Sequence, residues 1–107
     1  MTTFNDRERA YESKFAHDAD LRFKAEARRN RLLGEWAAGL MSLTPEETDA
    51  YRKAVVQAEF EEAGDEDVVR KLLGDLTGAQ IDISEADIRA KLNELAVEAR
   101  RQLLGEV

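Results

Sequence analysis

His17 is the only histidine in the chain, and two carboxylates, Asp18 and Asp20, follow it closely. A zinc site would need their help, but these residues do not stand at a recognised ligand spacing. A solvated histidine at a hinge accounts for the same residues. The acidic run Glu59, Glu61, Glu62, Asp65, Glu66 and Asp67 lacks the alternating ligands of a calcium loop; it reads as an exposed turn followed by a helix cap. The glycines form neither G-x-G-x-x-G nor G-x-x-x-x-G-K-[ST], so there is no standard phosphate cradle. Ser13, Ser42 and Ser84 have no histidine-based activation in the sequence. Cysteine is absent, which removes thiolate nucleophiles, thiolate metal sites and disulfides and is compatible with a reducing cytoplasm. No catalytic residue, no metal site and no required cofactor are expected, and the chain is not expected to be an enzyme.

What stands out instead is charge and aromatic content at particular places. Residues 22 to 31 hold Arg22, Lys24, Arg28, Arg29 and Arg31 against Glu26, a local +4, whereas residues 44 to 82 carry a local −7 within a chain of net charge −7. Nucleic-acid binding depends on many basic contacts that release counterions, so an acidic chain is a poor candidate. The basic run suits either the chain's own acidic half or an acidic partner protein. The first fifteen residues carry Phe4, Tyr11 and Phe15, a large apolar payload where chain ends usually fray.

The elements that must position these residues are helices. The chain has one proline and six glycines in 107 residues, with 43% apolar and 36% charged content, which predicts few turns and one ordinary domain. Thr44, Pro45 and Glu47 form a strong helix start with a capping box. That helix shows Tyr51, Ala54, Val55 and Ala58 on one face and is expected to end near Gly64. Asp65 is expected to cap the next helix, whose face is Val68, Val69, Leu72, Leu73 and Leu76, stopping at Gly78. The last helix begins at Ser84, with Asp87 in the capping-box position and Ile83 and Ile88 as a hydrophobic staple. Its face is Ile88, Leu92, Leu95, Ala96, Ala99 and Leu103. No stretch approaches the roughly 20 apolar residues of a membrane span, and nothing reads as a signal or transit peptide.

The first helix is the unusual one. From Thr3 to about Met41 it would be about 57 Å long, against about 20 to 33 Å for its neighbours. Leu33, Trp36, Ala37 and Leu40 form one stripe, and Phe4, Tyr11 and Phe15 share its angle, but Arg22, Glu26 and Arg29 interrupt it. Ala19, Phe23 and Ala27 are expected to carry packing onto an adjacent face, and Trp36 reads as core. The predicted architecture is all-α: a four-helix bundle over 19–107 with a long first helix whose N-terminal part protrudes or is partly disordered. Residues 1–18 form an amphipathic arm, with Asp18 as a secondary helix start. For the arm's aromatics, two readings stay open. They pack on the short helices, or they anchor helix-in-groove recognition of a partner.

FNDRERAYESKFAHDADLRFKAEARRNRLLGEWAA, residues 4 to 38, closely resembles the opening of the zeta subunit of alphaproteobacterial F-type ATP synthases. That family's usual pattern is an F-D-D-R-E start, then K-F-A-H-D, F-K-A-x-A-R-R-N-[KR]-L-L-G and W-A. GDEDVVRKLLGDL at 64 to 76 and IRAKLNEL at 88 to 95 resemble its later blocks, so the likeness runs along essentially the whole chain. Asn5 stands where the family often has Asp, and Ala63 where it often has Pro; the first keeps helix-start chemistry and the second loosens a turn.

The resemblance implies a protein inhibitor of the synthase's ATP-hydrolysing direction. Its N-terminal arm would insert at a catalytic interface of the soluble head, near the central stalk, and block reverse rotation while allowing synthesis. The partners implied are the alpha, beta and gamma subunits of that head. The location implied is the cytoplasm, peripherally at the membrane through the synthase, with the free chain a monomer and no direct membrane insertion. Carried onto this chain, the arm contacts would be Phe4, Arg7, Tyr11, Lys14 and Phe15. Weak ATP or ADP binding on the bundle is the further implication, with Arg22, Arg28, Arg29 and Trp36 as its residues. The alternative to the inhibitor is an adenine-nucleotide-sensing helical adaptor without enzymatic activity.

Overall fold

The computed structural model describes residues 18–61 and 65–106, and all regular structure among them is helical. Four helices follow in order: α1 (Ala19–Leu40), α2 (Pro45–Glu61), α3 (Glu66–Gly78) and α4 (Glu85–Glu106). The bundle expected from periodicity is what forms. α1 is its spine, packing on α2, α3 and α4, while α3 also packs on both α2 and α4. The arm residues before Asp18, including His17, lie outside the described residues.

Local chemistry explains most boundaries. The Asp20 and Leu21 backbone N–H groups donate to Asp18 Oδ1 at 3.0 and 3.2 Å, so α1 has its own N-cap at the position predicted as a secondary start. Thr44 and Glu47 close a reciprocal capping box at 2.8 and 3.2 Å, and hydrogen bonding to Thr44 holds the Glu47 carboxyl below its ordinary range. Ser84 and Asp87 close another, at 3.2 and 3.1 Å. α1 and α3 both end in paired bonds: Ser42 N–H to Gly39 and Leu43 N–H to Ala38, then Gln80 N–H to Thr77 and Ile81 N–H to Leu76. This arrangement places one residue in the left-handed region. Here those residues are Ser42 (φ 57°) and Gln80 (φ 64°) rather than glycines. Gly78 ends α3 as expected, but as its last helical residue.

The core joins Leu33 and Ala37 of α1, Val55 of α2, Val68, Val69, Leu72 and Leu76 of α3, and Ile88 and Leu92 of α4. Trp36, Tyr51, Leu73, Ile83 and Leu95 pack around it half-buried. At Gly34, α1 and α2 approach so closely that a Cβ would meet Arg52 Cα at 3.0 Å and Val55 Cγ2 at 3.2 Å. Tyr51 Oη donates to Asp75 Oδ2 at 2.7 Å, with Lys71 over the tyrosine ring, and so ties α2 to α3.

The first helix packs differently from its predicted stripe. Leu40 is exposed, and so is Phe23, at 51%, where packing was expected from Ala19, Phe23 and Ala27. Toward its N-terminus α1 instead uses Leu21 and Ala25, which meet Leu103 and Leu104 of α4. The seam therefore runs Leu21, Ala25, Arg29, Leu33, Ala37, one residue every fourth position. It passes through a charged side chain that the wheel had marked as an interruption.

Candidate functional site

Arg29 and Asn30 sit in the middle of that seam, 7% and 0% exposed. A buried guanidinium is costly unless paired and hydrogen-bonded, and here both Nε and Nη2 are engaged. Arg29 Nη2 donates to Glu59 Oε1 at 2.8 Å and to Asp65 Oδ1 at 2.9 Å. Arg29 Nε donates to Asn30 Oδ1 at 3.1 Å, and Asn30 Nδ2 donates to Glu59 Oε2 at 2.6 Å. The clasp binds α1 to the last turn of α2 and to the N-cap residue of α3, and no buried side-chain nitrogen or oxygen among the described residues lacks a partner. Burial pushes the Glu59 carboxyl above its ordinary value and neighbouring Glu26 adds to this, while Arg29 and Asn30 pull the other way.

Two sequence expectations change here. Glu59 is turned inward to α1 rather than belonging to an exposed acidic turn. Asp65 stands at the N-cap of α3 but makes no side-chain cap bond; its carboxylate goes to Arg29. The signal that could have found the clasp was the coincidence of Arg29 with the apolar seam, which forces a buried carboxylate partner from the acidic half.

The remaining basic residues point elsewhere. Arg28, Arg31, Leu32 and Glu35 of α1, Arg52 of α2 and Gln102 of α4 line a hollow of about 190 Å³. Arg52 is held there loosely, with Nη1 3.4 Å from Glu35 Oε2 and Nη2 3.7 Å from Asp49 Oδ1. Arg31 is exposed, and its charge contributes, after Lys53 and Arg52, to holding the Asp49 carboxyl below its ordinary range. Of the four residues suggested for nucleotide, Arg28 alone lines the hollow. Arg29 is in the clasp, Arg22 is exposed, and Trp36 packs against the core with Lys91 Nζ 5.7 Å from its ring centroid. The suggested arm contacts Phe4, Arg7, Tyr11, Lys14 and Phe15 lie outside the described residues. No group of three or more His, Cys, Asp or Glu side chains among the described residues could hold a metal ion, and none of the described helices is long and apolar enough to cross a membrane.

The described residues thus form a small helical bundle with a capped spine, an inward ionic clasp and a basic hollow. The profile of the ATPase inhibitor subunit zeta family matches residues 1–102, and the chain belongs to that family. It is also similar to a chain solved in solution by NMR, 49% identical, with a TM-score of 0.72 over 81% of this chain and 99% of that one. No curated protein matches.

Proposed function

We propose that this chain inhibits the ATP-hydrolysing direction of an F-type ATP synthase as a non-catalytic regulator. Residues 1–18 act as an arm inserted at a catalytic interface of the soluble head, among the alpha, beta and gamma subunits, and oppose reverse rotation. Phe4, Tyr11 and Phe15 fill apolar grooves, and Arg7 and Lys14 pair with acidic groups there. Residues 19–107 hold the arm in place from outside. The chain works in the cytoplasm, at the membrane only through the synthase, and is a monomer when free.

The observation that carries this reading is family membership over residues 1–102, a span that takes in both the arm and the bundle. The cap at Asp18 supports it, because two of the orphan N–H groups that open α1, those of Asp20 and Leu21, are satisfied without any residue further upstream. The test is deletion of residues 1–17, followed by an ATP hydrolysis assay with the purified synthase of the source organism. The truncated chain is expected to lose inhibition while keeping the helical content of its bundle. Undiminished inhibition would remove the arm from the mechanism.

A second reading, adenine-nucleotide sensing, is favoured by the arginines of the hollow. Its volume is below the roughly 300 Å³ at which small-molecule pockets begin, so it suits a phosphate group better than a whole nucleotide. Arg29 would have to leave two carboxylates to take part. ATP titrated into labelled protein would separate the readings: shifts spreading from Arg22 to Trp36 at low concentration support the sensor.

A further inference from the structure

We propose that the hollow between α1, α2 and α4 receives a carboxylate-bearing segment of the same partner that takes the arm, and so sets which face of the bundle meets it. This rests on the inhibitor reading above and adds the contact surface and its chemistry. Three guanidinium groups, those of Arg28, Arg31 and Arg52, and one carboxylate, Glu35, line a concave surface, with Asp49 beside Arg52 at its edge, in a chain whose net charge is −7. An acidic partner segment is repelled by that net charge and attracted at this concavity, which makes the hollow an orienting device more than a source of raw affinity.

Arg52 is positioned there without being saturated. Charge-assisted bonds run at about 2.7–2.9 Å, as those of Arg29 do, at 2.8 and 2.9 Å. Arg52 sits at 3.4 and 3.7 Å from its two carboxylates, so an incoming carboxylate can claim it with little loss to the fold. Arginine's planar fork matches a carboxylate with two parallel bonds. Leu32 offers an apolar wall to the methylenes of an aspartate or glutamate, and Gln102 a neutral donor and acceptor. The volume of about 190 Å³ holds one or two such side chains. The site also lies where a partner gripping the arm would reach it. Arg28 and Arg31 stand about 15 and 20 Å beyond Asp18 along the same helix.

The test compares full-length wild type, Arg31→Glu/Arg52→Glu and a control with the same change in charge, Lys24→Glu/Lys53→Glu. Both control lysines are well exposed, at 57% and 78%. Inhibition of ATP hydrolysis by the purified synthase is titrated at low and high salt, with thermal melts run on each variant. The hollow variant is expected to need about tenfold more protein for half-inhibition at low salt, with a flatter salt dependence, while the control shifts by less than about threefold. Should the reversed variant melt early, Arg31→Gln/Arg52→Gln replaces it, with a smaller shift expected in the same direction. Equal shifts in the hollow and control variants would overturn the proposal. So would unchanged inhibition by the hollow variant, including the case in which millimolar ATP moves the Arg31 and Arg52 amide resonances, which would assign the hollow to nucleotide. Wild type that neither binds nor inhibits the synthase defeats the inhibitor reading itself, and this contact falls with it.

Discussion

Arg29 occupies a place on α1 where a bundle ordinarily carries an aliphatic residue. It is tolerated because Glu59, Asp65 and Asn30 surround it, and removing one member of such a group leaves the others buried and uncompensated. The Glu59 carboxyl is the group most affected, raised above its ordinary value of 4.5 by burial. A carboxyl that binds its proton more tightly in the folded state contributes stability below pH about 4.5, and loses that contribution as pH climbs through the raised value. Carboxyls held low, such as Glu47 and Asp49, act in the opposite sense and are common to both chains in a comparison with Glu59→Gln. The stability of wild type relative to Glu59→Gln is therefore expected to fall between pH 4 and pH 7. Urea unfolding of both proteins across that range checks it, and a difference independent of pH would show that Glu59 is not the responsible proton site.

At the level of elements, helix starts and helix stops are built by different means. The starts of α2 and α4 are complete in sequence: Thr44 with Glu47, and Ser84 with Asp87, each satisfy two backbone donors within four residues. The stops of α1 and α3 need a left-handed residue and use Ser42 and Gln80, which lack glycine's freedom there. Ser42→Gly and Gln80→Gly are each expected to stabilise the fold by about 0.5–1 kcal/mol, the left-handed cost less glycine's greater entropy when unfolded. For a domain of this size that corresponds to a rise of about 4–8 °C in Tm per kcal/mol. Calorimetry reads it directly, and an unchanged melting temperature would mean that neither residue is strained. Gly34 is the counterexample, since its hydrogen lies against Arg52 and Val55 and any side chain there must push α1 and α2 apart.

Across the whole molecule, a bundle closed by its own cap, core and clasp predicts that residues 18–107 are thermodynamically self-sufficient. The chain lacking residues 1–17 is expected to melt within about 3 °C of the full chain, given how small a ΔΔG such a shift represents. Circular dichroism melts decide it; a large loss of stability would place the arm inside the fold and undercut its availability to a partner. Paired with the inhibition assay, the same truncation separates a damaged bundle from a missing arm.

Element type and most limits were legible in the residues because their causes are local. Capping bonds, the staple before Ile88 and the apolar spacing of α3 all act within a few positions of one another. The aliphatic core followed from the same periodicity, with Val68, Val69, Leu72, Leu76 and Ile88 buried as expected. Family kinship was legible too, in the long run from Phe4 to Ala38. Only the tertiary structure decided which of five neighbouring basic residues turns inward. The carboxylate partners of Arg29 lie 30 and 36 positions away, and a wheel drawn for one helix cannot see them. The hollow was hidden for the same reason, since its arginines belong to two helices and its glutamine to a third, and their juxtaposition is a consequence of packing.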